Sequence, residues 1–226
     1  MNQMGPFAKP SHWMVQPMLG IVVSVNDPQG KGRVQVRLPA LDPEGDAAVW
    51  ARVAVQFAGD KYGAFFIPNV DTEVLVVFIG GDPAWPIVVG NLWNGKTDLP
   101  ESIGSSVDRW TLTGKAGTRI AIVEENPGQE KVEIETPNGQ KATLTDEAGG
   151  QIKLQQGGNS ITLKPSGITV TASAKVTVNA PQVQVTAGMV KVDTAFAEFT
   201  GMLKCQTLLT TTVISSVYTP GAGNVW

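Results

Sequence analysis

The chain of 226 residues is short of what active sites and covalent cross-links require. It holds one cysteine, Cys205, and one histidine, His12. A single cysteine excludes an intrachain disulfide and implies no oxidising compartment. Cys205 is expected to be a free, buried thiol. One histidine cannot build a metal site, and His12 reads as a surface residue. Charged residues make up 16% of the chain and the formal net charge is −3. Both are low for a soluble monomer and suggest a surface covered in large part by other protein. No basic run is present: residues 18–95 hold 5 Lys/Arg against 8 Asp/Glu, so no nucleic-acid partner is expected. The longest apolar run, residues 74–79, is far below the ~20 residues that a membrane-crossing helix needs. The start of the chain lacks the pattern of a signal peptide, which predicts synthesis and assembly in the cytoplasm.

Catalytic pairings are missing as well. The carboxylate pairs Glu124–Glu125 and Asp146–Glu147 read as solvated loops. The stretch Gly114–Gly117 lacks the Gly-Lys-Ser/Thr ending and the helix of a phosphate loop. The expectation is a protein that is not an enzyme and carries no cofactor and no metal.

What the first half does contain is strand pattern. Residues 19–25 (LGIVVSV) are β-branched and end at the turn Asn26-Asp27-Pro28-Gln29-Gly30. Residues 32–39 alternate, with Val34, Val36 and Leu38 on one face and Arg33, Gln35 and Arg37 on the other. An acidic loop spans 41–48, and residues 49–57 (VWARVAVQF) alternate again. Residues 73–79 (EVLVVFI) and 87–89 form a hairpin joined through Gly80-Gly81-Asp82-Pro83. Five strands in about 75 residues, with no helical period, predict an OB-type Greek-key barrel. OB barrels often bind oligonucleotides through aromatics set between basic residues. Here the aromatics fall on acidic or neutral loops and in apolar runs.

The second half changes character. Between Thr111 and Ala195 there is no Phe, Trp or Tyr. Aliphatic pairs at i and i+2 recur instead, from Ile120/Ile122 to Val190/Val192, at steps that shrink from 12 residues to 7. The early gaps carry turn residues such as Pro137-Asn138-Gly139, Gly149-Gly150, Gly157-Gly158-Asn159 and Pro165-Ser166-Gly167. A repeat this short cannot bury its own apolar face, so stacked copies must supply the core. One solution is a single-chain β-solenoid that binds carbohydrate or a cell surface. The other is three chains around one axis, each giving one side per layer, and the short step favours it. The lack of aromatics suits a narrow axis filled by Val, Ile, Leu and Ala.

Three parts occur in one order: GKGRVQVRLPAL (30–41), FIPNVDTEVLVVFIGGDPAWPIVVGNLWNG (66–95) and the alternating tail. Together they resemble the central spike of contractile injection machines. That family holds phage baseplate assembly protein V, the phage tail spike and the valine-glycine repeat (VgrG) proteins of type VI secretion. The resemblance implies an all-β homotrimer, with three OB barrels as a collar and an intertwined β-helical needle. It divides the chain into an arm (1–17), a barrel (18–95), a linker (96–110) and a shaft (111–226). The expected axial positions are Ile152, Leu154, Ile161, Leu163, Ile168, Val170, Val176, Val178, Val183, Val185, Val190 and Val192. The resemblance implies a hub protein that adapts the barrel end to the tube. It also implies a needle driven through a target membrane that it contacts only transiently. Some phage spikes end in a His-x-His motif that clasps iron, and no such motif is present here. A PAAR-type tip protein is therefore expected on Tyr218, Val225 and Trp226.

Overall fold

A computed structural model of the chain describes residue 14 and residues 16–217. Most of the expected arm, with His12, and the expected tip residues Tyr218, Val225 and Trp226 lie outside the described residues. The chain separates into two compact units at Lys175/Val176.

The first strands are β1 (Met18–Ser24), β2 (Val34–Arg37), β3 (Val49–Val53), β4 (Ala58–Gly59), β5 (Tyr62–Gly63), β6 (Glu73–Phe78) and β7 (Pro86–Leu92). Five of them close a barrel in the order β1-β2-β3-β7-β6, while β4 and β5 form a separate two-stranded hairpin. All barrel pairings are antiparallel except β3 with β7, which closes the cylinder. The expected OB barrel is therefore present. Its core is narrow and almost wholly β-branched: Val22, Val34, Val36, Leu38, Ala51, Val74, Val76 and Val88. These are the inward positions of the period-2 alternation. Strand β3 is shorter than the alternation through residue 57 predicts. It pairs with β7 only at Arg52 and Val53, after which the chain leaves for the β4–β5 hairpin. Pro86 opens β7, where the missing N–H costs no ladder bond at the strand's first position. The turn after β6 is one 3₁₀ turn, Ile79–Gly81, with Gly80 at φ 63°. The Met14 amide donates to the Gly81 carbonyl at 2.7 Å, which pins the entering chain to this turn.

Seven further strands follow: β8 (Arg109–Thr113), β9 (Arg119–Val123), β10 (Lys131–Glu135), β11 (Lys141–Thr145), β12 (Gln151–Gln156), β13 (Asn159–Lys164) and β14 (Gly167–Thr171). They form one antiparallel meander in sequence order, open at both edges. The turns fall where glycine and proline were placed by the sequence, including Gly139, Gly149, Gly157 and Gly167, all at positive φ. This stretch is thus one open sheet rather than a coil of rungs.

Past Thr171 no strand forms among the described residues. The valine pairs from Val176 to Val192 are well exposed in the single chain; Val185 is 69% exposed. Cys205 is exposed too, which corrects the expectation of a buried thiol. The reason is the same for both: a single copy of this stretch builds no core of its own.

Gly20 lies where β1 crosses the barrel interior. A Cβ built on it would sit 2.3 Å from Val36 Cγ1. Gly20→Val should overpack the core and destabilise the barrel by about 1–3 kcal/mol. Chemical denaturation followed by tryptophan fluorescence checks this; an unchanged midpoint contradicts the packing described.

Candidate functional site

The antiparallel registers of the meander place two residues of every strand on one face. One row runs Trp110, Ile122, Val132, Leu144, Ile152, Leu163, Ile168. The other runs Leu112, Ile120, Ile134, Ala142, Leu154, Ile161, Val170. Directly opposed residues share a face, so these fourteen apolar side chains form one continuous surface. Six of them are residues expected from sequence at the axis: Ile152, Leu154, Ile161, Leu163, Ile168 and Val170. The structure brings these six together. The other six, from Val176 to Val192, lie in the second unit without a strand partner.

Burial on this sheet is inverted. Leu154 is 50% exposed and Ile168 71% exposed, while on the polar face Ala121 is 1% and Glu133 8% exposed. A soluble chain ordinarily does the reverse, and an apolar face this large is an interaction surface.

The polar face owes its burial to ions. Glu101, from the segment between β7 and β8, accepts from Arg119 Nε at 2.7 Å and from Arg109 Nη1 at 3.3 Å. Arg119 also reaches Glu133 at 3.1 Å, and Lys141 and Lys131 approach the same carboxylate at 3.0 and 3.5 Å. Arg109 further engages Asp108 at 2.8 Å and Glu125. The Arg119 guanidinium, with Arg109, holds the Glu101 carboxyl below its ordinary range despite some burial. Burial pushes the Glu133 carboxyl up, but Lys141, Lys131 and Arg119 outweigh it and leave it lowered. The network ties the segment leading out of the barrel to the first four strands of the sheet. Sequence reading missed it, because Glu101 and Arg119 are eighteen residues apart and no pattern links them.

The carboxylate pairs Glu124–Glu125 and Asp146–Glu147 are exposed, and Glu125 is taken up by Arg109. Among the described residues no group of three or more His, Cys, Asp or Glu side chains is placed to hold a metal. Among them, too, no helix is long and apolar enough to cross a membrane.

A closed OB-type barrel followed by a sheet with one bare apolar face defines a protein built to associate through its second half. The comparisons agree with that class. Residues 18–93 match the type VI secretion system/phage-baseplate injector OB domain. Residues 131–191 match the phage baseplate V C-terminal trimerisation domain. The type VI secretion system spike protein VgrG3 of Vibrio cholerae serotype O1 is 35% identical over 141 residues, which is 56% of this chain and 13% of that protein. The spike protein VgrG5 of Pseudomonas aeruginosa is 32% identical over 112 residues, 47% of this chain and 14% of the relative. The actin cross-linking toxin VgrG1 of Vibrio cholerae is 26% identical over 165 residues, 64% of this chain and 15% of the relative. The chain belongs to the VgrG-like family of baseplate spike proteins. It aligns with less than a fifth of the length of each of these three relatives.

The ionic network has a pH signature. Glu101 and Glu133 have lowered pKa values when folded, so their contribution is complete above the unfolded carboxylate range, about 4.3. It is lost as pH falls below that range through the folded values. Amides near Glu101 should be protected from hydrogen exchange at pH 7 and lose protection below about pH 4. Glu101→Gln should lack this protection at both pH values. Equal exchange in parent and variant at pH 7 contradicts the role given to Glu101.

Proposed function

We propose that this chain works as the central spike of a contractile injection machine, as a homotrimer. Three sheets turn their apolar faces to one axis, and three barrels form the collar above them. The single observation that carries this is the bare face of fourteen apolar side chains on an otherwise polar sheet. A triangular prism made of one sheet per chain covers all three faces at once. The open meander speaks against the rival solenoid, since it forms no rung that closes on itself. The trimerisation-domain match over residues 131–191 supports the same assembly.

In this reading Ile152, Leu154, Ile161, Leu163, Ile168 and Val170 fill the upper shaft. Val176, Val178, Val183, Val185, Val190 and Val192 fill a slimmer one, where neighbouring chains satisfy the backbone that a single copy leaves unpaired. The arm (1–17) and barrel (18–95) meet a hub at the wide end. The segment 96–110 connects to the shaft (111–226), and the narrow end receives a PAAR-type tip on Tyr218, Val225 and Trp226. That last assignment rests on the sequence alone. The work is mechanical: the particle, assembled in the bacterial cytoplasm, concentrates the force of sheath contraction on a target envelope. No cofactor or catalytic residue enters this role.

The test is a pair of neighbouring substitutions on β12. Leu154→Asp would set three carboxylates around a dry axis, at several kcal/mol for each unpaired buried charge. Trimer yield in size-exclusion chromatography should collapse. Gln155→Asp, on the opposite face, should leave it unchanged. Equal tolerance of both changes contradicts the assigned faces.

A further inference from the structure

The barrel carries a second feature that the shaft does not explain. A recess of about 240 Å³ opens between the start of β2, the middle of β3 and the start of β7. Lys31, Arg33, Trp50, Arg52, Trp85 and Ile87 line it. These residues are scattered over some fifty positions, so the basic and aromatic character of the site is invisible in sequence order. The recess is held firmly. Asp27 accepts the backbone N–H of Gln29, Lys31 and Arg33 and pairs with the Arg33 guanidinium at 2.7 Å. Arg33 lies over the Trp50 ring, 5.5 Å from its centroid. Asp27 thereby neutralises Arg33. Lys31 and Arg52 are exposed and make no salt bridge among the described residues. At the rim, Asp82 is engaged by the Ala84 amide.

The same barrel presents the converse shape. In the loop between β2 and β3, Asp42 accepts the backbone N–H of Gly45, Asp46 and Ala47. The loop is thus a fixed knob, and it displays Glu44 and Asp46 exposed and without salt-bridge partners among the described residues. Two free cations face outward in the recess, and two free carboxylates face outward on the knob.

We propose that in the assembled spike the recess of one barrel receives the 42–46 loop of the next copy. This rests on the homotrimer reading and goes further, because it gives the collar an interface of its own. A three-fold ring joins unlike surfaces head to tail, so each chain must carry both halves of the contact. A concave basic patch and a convex acidic one, both rigid, on one barrel meet that requirement. Charge complementarity of this kind sets register and excludes wrong partners more than it adds affinity. Its place in the spike is to fix how the three collars are rotated about the axis.

The test uses the full chain in a Cys205→Ser background, which removes the only native thiol. Lys31→Cys and Glu44→Cys are introduced together and treated with a short bismaleimide. Covalent trimers on a denaturing gel are expected, and Lys31→Cys with Asp60→Cys should give none. At low salt, Arg52→Glu should cut the yield several-fold, and adding Asp46→Lys should restore it. An intact trimer by light scattering with no cross-link overturns the inference and leaves the homotrimer standing. A monomeric mass overturns both. Retention of nucleic acid or of an acidic partner protein by the recess, without the cross-link, assigns the site elsewhere and also overturns it.

Discussion

The constraint on which the rest depends is an apolar sheet face that one chain cannot cover. Fourteen apolar residues stand on one side of the β8–β14 meander, and among the described residues none packs on them as a second layer. A half-bare sheet has no hydrophobic core in the ordinary sense of two packed layers. Its stability is therefore tied to association. The absence of aromatics from 111–195 agrees with the proposed trimer, whose axis beyond Trp110 would be packed closely by aliphatic side chains.

The barrel is independent of that need. Its eight core residues are buried within the chain, and the β3–β7 parallel pairing leaves no sheet edge open. The two halves thus differ in kind: one is complete alone and the other is complete only in company. Between them the ionic network on Glu101, Arg109, Arg119 and Glu133 fixes the connecting segment to the first strands. Several charges sharing partners around a partly buried carboxylate hold a segment better than isolated surface pairs do.

Much of this was legible in the sequence, and the reasons are specific. Val34, Val36 and Leu38 alternate with Arg33, Gln35 and Arg37, and a period of two admits only a strand. Glycine and proline marked the hairpin turns from 137 to 167, because positive φ at Gly139, Gly149, Gly157 and Gly167 suits few other residues. The i, i+2 pairs marked the exposed face. What stayed hidden was whatever depends on residues far apart in the chain. Trp110 belongs to the apolar row but sits in a stretch with linker composition. Arg119 finds Glu101 only after folding, and the basic recess assembles from three separate strands. Cys205 misled because burial was judged for an isolated thiol, whereas its segment has no core in a single copy.

The central claim is that the shaft exists by association of three identical chains. Light scattering coupled to size-exclusion chromatography on the 226-residue chain measures it most directly. The chain mass is 23.9 kDa, and the account predicts a single species at three times that mass. A stable, folded monomer at 23.9 kDa, with its sheet face open to water, would contradict it.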